Sequence, residues 1–149
     1  MAKQQVKKQE KEKSGKLIVV AGKRKRAIAK ATIKQGNGVV RINNLLLDVF
    51  PEIRKLFISE PIVITQNISP ELAKSVDINI KVKGGGIESQ AEASRLAIAR
   101  ALVEFSKSKE LRDAFVAYDR SLLVADVRRK ETRKPGISKA RAKRQKSYR

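Results

Sequence analysis

The residues of this chain whose type and spacing point to chemistry are the lysines and arginines at its two ends. The final segment, RRKETRKPGISKARAKRQKSYR, carries Arg128, Arg129, Lys130, Arg133, Lys134, Lys139, Arg141, Lys143, Arg144, Lys146 and Arg149, with Glu131 as its only acid. Guanidinium and ammonium groups at that density neutralise phosphates. The segment has almost no apolar side chain to bury, so it does not offset its own ordering entropy. A polyanion is needed to order it, and nucleic acid fits. Residues 1–30 are similar: eleven bases, including the run Lys23-Arg24-Lys25-Arg26, face only Glu10 and Glu12. The formal charge of the chain is +20, yet residues 31–127 are almost neutral. Charge confined to two termini describes arms that reach along something negative.

Three smaller features bear on the same chemistry. Lys23 to Arg26 sit between two strand candidates, where four adjacent bases at a bend suit two phosphates. Gly84-Gly85-Gly86 follows a strand and precedes a helix. Its N–H groups and the positive helix end suit a phosphate, or the glycines serve a tight turn where helix and sheet meet; both readings stay open. No Lys-Ser or Lys-Thr follows the glycines, and the GxGxxG spacing fails at Ser89, so this is no nucleotide loop. Tyr148 beside Arg149 suits stacking on a base or ribose with the guanidinium on a phosphate, or is simply a chain end.

The inventory argues against an enzyme. With no His and no Cys, nucleophile–imidazole pairs and the usual zinc sites are excluded, and disulfides with them. Asp77, Glu88, Glu92, Asp119 and Asp126 are scattered along the chain and read as caps or surface charges. No metal, cofactor or small-molecule substrate is expected. No apolar run is long enough to span a bilayer, no secretory signal is expected at the N-terminus, and the tail lacks the bulky apolar residues of a membrane-surface helix.

These residues must be positioned by the body. We expect a flexible charged leader over 1–15, a globular body over 16–127 and an extended basic tail over 128–149. Leu17 to Ala21 is a short strand. Arg26 to Lys34 alternates, with Ala27, Ala29, Ala31 and Ile33 on one face and a basic outer face opposite. Gly36-Asn37-Gly38 then predicts a tight hairpin, with Val39 to Asn43 as the return strand. Asp48 reads as a helix cap with Pro51 in the first turn, and Pro61 as the stop. Ser69-Pro70 opens a short helix to Ser75. Asp77 to Lys83 alternates with Ile78, Ile80 and Val82 inward.

The longest helix is expected over Glu88 to Phe105, its buried stripe running Ile87, Ala91, Ser94, Ile98, Ala101, Leu102 and Phe105, with alanines suited to close packing on a sheet. A second helix follows over Lys109 to Tyr118, capped by Ser108, with Leu111, Ala114, Phe115 and Tyr118 on one face. Leu122 to Val127 is a last strand candidate. Strands with segregated helices give an α+β sandwich. Pro135-Gly136 forbids a continuous helix through the tail.

In this order the motifs resemble a known family. GKRKRAIAKATIKQGNGVVRIN at Gly22–Asn43, DINIKVKGGGIESQAEASRLAIARAL at Asp77–Leu102, YDRSLLVADVRRKE at Tyr118–Glu131 and QKSYR at Gln145–Arg149 resemble small-subunit ribosomal protein number nine, of the archaeal or eukaryotic type. The resemblance implies a two-layer fold like the second domain of ribosomal protein number five, with a left-handed β-α-β crossover. It also implies a cytoplasmic, ribosomal location in the head of the small subunit, on the 3′ domain of the rRNA beside neighbouring ribosomal proteins. Lys23, Arg24, Lys25, Arg26, Lys83, Gly84, Gly85, Gly86 and the bases from Arg128 to Arg144 would fall on rRNA. Lys146, Ser147, Tyr148 and Arg149 would reach the peptidyl-site tRNA. The tail departs from the family pattern over Ile137 to Arg144, and the leader matches nothing in it. The charge pattern alone also suits a histone-like compactor of nucleic acid. A nuclease on the same fold would need two or three converging acids and Mg²⁺.

Overall fold

The computed structural model describes residues 17–136 and 139–142. Five strands form one mixed sheet: β1 (Ile18–Arg24), β2 (Ala27–Gln35), β3 (Val40–Ile42), β4 (Leu45–Leu46) and β5 (Val76–Lys83), in the order β1-β2-β5-β3-β4. Four α-helices accompany them: α1 (Glu52–Ile68), α2 (Pro70–Lys74), α3 (Ile87–Ser106) and α4 (Lys109–Tyr118). The α+β expectation holds. Helix α3 lies across β1, β2 and β5, while α1 and α4 pack against α3.

Alternation fixes which face of the sheet is covered. Ala27, Ala29, Ala31 and Ile33 are buried, and so are Val76, Ile78, Ile80 and Val82 on the neighbouring strand. The helix side is built from Ala93, Ala97, Ala101, Ile98 and Leu102, which join the strand residues in one core. Small residues bring the backbones very close. A Cβ built on Gly22 would lie 2.2 Å from the Ala93 carbonyl oxygen and 2.8 Å from the Ala97 nitrogen. No L side chain fits there without moving α3 off β1.

The expected β2–β3 hairpin does not form. β5 lies between the two strands, antiparallel to β2 (Ala31 opposite Ile80) and parallel to β3 (Val40 opposite Ile78). Turn residues fix a local reversal but not the strand that fills the gap. Here β5 gains a ladder on both sides, and its Asp77 carboxylate accepts the Asn37 and Val39 N–H groups at 2.9 and 3.1 Å. Those two bonds hold the Asp77 carboxyl below its ordinary range. The hairpin of this region is instead β3–β4, turned by Asn43 and Asn44 at φ of 48° and 69°.

Four further expectations are corrected. Asp48 does not cap a helix; it lies in a 3₁₀ turn and pairs with Lys55 at 2.5 Å. Pro61 does not stop α1, which runs on to Ile68, because Ile58, Pro61 and Thr65 form its buried stripe and packing outweighs one lost N–H. Leu122 to Val127 is not a strand. A 3₁₀ turn covers Arg120–Leu122, and Arg100 donates to the Leu123 and Ala21 carbonyls at 2.8 and 3.0 Å. Ile87, at the start of α3, is exposed rather than part of the buried stripe, and Tyr118 at the end of α4 is exposed as well. The Lys109–Tyr118 helix and its Ser108 cap, which accepts the Leu111 N–H, agree with the sequence.

Replacing Gly22 with Ala tests the close approach. We expect a loss of about 1–3 kcal/mol from overpacking, a fall in thermal midpoint of several degrees, and no change in secondary-structure content by circular dichroism. An unchanged midpoint would show that α3 has room to move.

Candidate nucleic-acid interface

The β1–β2 hairpin closes with Arg24 opposite Ala27, so Lys25 and Arg26 form its two-residue tip. Lys25 takes φ of 51°, a conformation that costs a lysine and not a glycine. A cation thus occupies a position where local geometry favours its absence. Lys23, Lys25 and Arg26 are exposed.

The glycine run packs beside this tip. A Cβ on Gly84 would meet the Arg26 carbonyl oxygen at 2.7 Å, and one on Gly85 would meet Ala27 at 2.9 Å. Both glycines have positive φ, +75° and +70°. Gly84 and Gly85 are therefore demanded by the turn and by close packing. Gly86 is different: it is the N-cap of α3, no side chain caps the helix start, and a Cβ there would meet open space. The one acid of that first turn, Glu88, accepts from Arg54 Nε at 3.1 Å. Lys83, at the end of β5, is exposed next to the glycines.

Arg24 points the other way. Its side chain is only 15% exposed and is ion-paired to Glu92 on α3 and to Asp126, just before the tail. Asp126 also accepts the Arg128 backbone N–H and its Nε, both at 2.8 Å. The Arg128 side chain and backbone, then Arg24, hold the Asp126 carboxyl far below the usual carboxylate range. Arg128 itself is exposed, so the shielded half of this network is the Arg24 side. The arrangement fixes where the chain leaves the body. It commits Arg24 to internal carboxylates and leaves its three neighbours for a partner.

A cleft of about 240 Å³ lies beside this network, between Lys23, Phe57, Leu96 and Val124. Its buried Arg95 stacks on Phe57 at 4.6 Å, pairs with Glu60 and reaches Asp119 at 3.2 Å. Its charges are thus matched by the fold itself, which suits a structural role better than capture of a small molecule. Among the described residues, no group of three or more acids is placed to hold a metal ion. No described helix is long and apolar enough to cross a membrane.

Arg129, Lys130, Arg133 and Lys134 are exposed and belong to neither helix nor strand. Lys139 and Arg141 are exposed as well, and Arg141 returns to Glu131, with Nη2 at 2.7 Å from the carboxylate. The tail's only acid thus selects one of its bases, through an exposed pair that a phosphate readily replaces. Lys143, Arg144, Lys146, Ser147, Tyr148 and Arg149 lie outside the described residues, as does the leader.

Three segments far apart in sequence therefore meet at one corner of the body: the hairpin tip, the glycine run and the root of the tail. Glu92 and Asp126, which read as surface charges in the sequence, hold that corner together. Nothing local to either acid signals it, since Arg24 and Glu92 stand 68 residues apart.

Comparison with known proteins gives the family. The family model described as ribosomal protein S9/S16 matches residues 22–149. The small ribosomal subunit protein uS9 of Thermoplasma volcanium is 46% identical over 133 residues, covering 89% of this chain and 98% of the relative. A match over nearly the whole length of both, including the basic tail, leads to one conclusion: the chain belongs to the ribosomal protein S9/S16 family, structural and non-enzymatic proteins of the small ribosomal subunit.

Proposed function

We propose that this chain binds the 3′ domain of the small-subunit rRNA in the head of the subunit, within the cytoplasmic ribosome. The near-neutral body docks, and its arms neutralise phosphates where RNA helices converge and would otherwise repel. One observation carries this reading: the corner at which Lys23, Lys25, Arg26, Lys83 and the tail root come together, held by Arg24, Glu92 and Asp126. It aims a basic thread from a fixed point on a folded body, which a generic compactor does not require. Lys23 to Arg26, Lys83 to Gly86, Arg128 to Lys130, Arg133, Lys134, Lys139, Arg141, Lys143 and Arg144 form the rRNA surface, with Arg24 acting through the fold. Lys146, Ser147, Tyr148 and Arg149 reach the peptidyl-site tRNA. Neighbouring ribosomal proteins of the head share the remaining surface. The parallel β3–β5 pair is joined through α1 and α2, which supports the β-α-β crossover that the resemblance implies to be left-handed.

Removing the tail from Arg128 onward tests the arm. If about half of its bases contact phosphate, the log–log salt dependence of rRNA binding flattens by about 4, at 0.7–0.9 per contact. An unchanged slope would sink the arm.

Arg149→Ala tests the terminus. We expect normal subunit assembly and peptidyl-site tRNA binding weaker by about 1–3 kcal/mol. Failed assembly with intact tRNA affinity would contradict the placement.

Asp126→Asn tests the root of the tail. Tryptic cleavage after Arg128 should accelerate several-fold at neutral pH while the core stays folded. The Asp126 carboxyl is held low in the folded protein, so its contribution is present above the ordinary carboxylate pKa and is lost as pH falls towards the depressed one. Acidification below the ordinary carboxylate range should therefore speed amide hydrogen exchange of the Arg128 N–H in the parent chain, relative to an unstructured control peptide, and not in the variant. Equal cleavage of both at neutral pH would show that Asp126 does not fix the exit.

A further inference from the structure

The open face of the sheet gathers lysines from three strands, two of these lysines outside the basic runs and the tail. Strand alternation that sends Ala27, Ala29 and Ala31 under α3 leaves Ile28 and Lys30 outward on β2. It likewise leaves Lys81 and Lys83 outward on β5, and Lys23 on β1. Register then gathers them. Lys30 stands directly opposite Lys81, and Ile28 stands between Lys23 on one side and Lys83 on the other. Four lysines thus surround Ile28 on three adjacent strands. Opposed residues lie about 4.5–5.5 Å apart at Cα, and alternate residues of one strand about 6.6–6.8 Å apart. Among the described residues, none of the four takes part in an ion pair.

Like charges directly opposed across a sheet lower its stability. The free protein carries that repulsion with no folding benefit, and a polyanion on this face relieves it. Ile28, 44% exposed, offers an apolar floor along which lysine stems can lie with their ammonium heads outward. Among the described residues no aromatic belongs to a strand: Phe57, Phe105, Phe115 and Tyr118 are on helices, and Phe50 precedes α1. The face therefore has no platform on which unpaired bases would stack. It is suited to a phosphate backbone, which is how double-helical RNA is recognised, by shape and phosphate contacts.

We propose that the open sheet face, through Lys23, Lys30, Lys81 and Lys83, docks the phosphate backbone of a double-helical rRNA segment. The proposal rests on the ribosomal reading above and adds a binding surface on the body itself. Lys30 and Lys81 are its new members, because neither belongs to a basic run or to the tail.

The test compares the full chain with K30Q/K81Q, binding a double-helical fragment of the rRNA 3′ domain across a salt series. The expected result is a log–log slope shallower by about 1.4–1.8, two contacts at 0.7–0.9 each, with a thermal midpoint of the free variant no lower than that of the parent. K30R/K81R should keep the parent slope. If the double Gln variant does not fold, Lys81→Gln alone should lower the slope by about 0.7–0.9. A slope unchanged by either Gln variant overturns the proposal and leaves the face to a protein neighbour. Binding of the parent chain to the folded rRNA 3′ domain no tighter than to an unrelated folded RNA of the same length would instead count against the ribosomal placement. The slope difference would still decide the sheet face.

Discussion

Packing of α3 on β1 and β2, with almost no side chain between them, is the constraint from which the rest of the molecule follows. Gly22 meets the Ala93 and Ala97 backbone, and Ala27, Ala29 and Ala31 are fully buried beneath the helix. Interfaces this thin leave no room for a lysine, so strand alternation puts Lys23, Lys30, Lys81 and Lys83 on the opposite face. The same helix carries Glu92, which holds Arg24, and Arg100, which holds the Leu123 carbonyl. One element thus closes the core, separates the charge and anchors the segment from which the tail departs.

The ion pairs of this protein divide by exposure into two kinds. Arg24 with Glu92 and Asp126, and Arg95 with Glu60 and Asp119, are largely covered and join elements distant in sequence. Breaking one side of such a pair strands a charge in a poorly solvated place, so these pairs specify geometry. Arg141 with Glu131 and Lys55 with Asp48 are exposed and contribute little. Among the described residues, the arginines that join distant elements are engaged internally, and most bases outside any ion pair are exposed. Family membership and charge layout agree on one point, a structural protein of the small ribosomal subunit with a basic surface.

Much of this is legible in the amino-acid sequence. Helix α4 can be read residue for residue, because Ser108 is a good cap and Leu111 and Phe115 share a face. Strands β2 and β5 can be read to within a residue, because alternation over seven or more residues matches the two-residue period of a strand and no helical one. The β2–β3 hairpin and the Leu122–Val127 strand mislead for one reason: each depends on what pairs with the backbone, which local pattern does not encode. Pro61 misleads as a stop because its propensity speaks without the burial of Ile58 and Thr65 around it.

The class of the protein is a property of the chain alone: two cationic ends on a neutral α+β body, no side chains for nucleophile–imidazole or zinc chemistry, and ordered motifs that mark a ribosomal family. Those properties are compositional or local, so they survive without coordinates. Which cations are free is a matter of packing. The fold engages Arg24 internally by giving it Glu92 and Asp126, and it joins the hairpin tip, the glycine run and the tail root at one corner. It also aligns Lys30 against Lys81 through the β2–β5 register. Contacts over such sequence distances depend on strand order and helix packing, and no local periodicity carries that information.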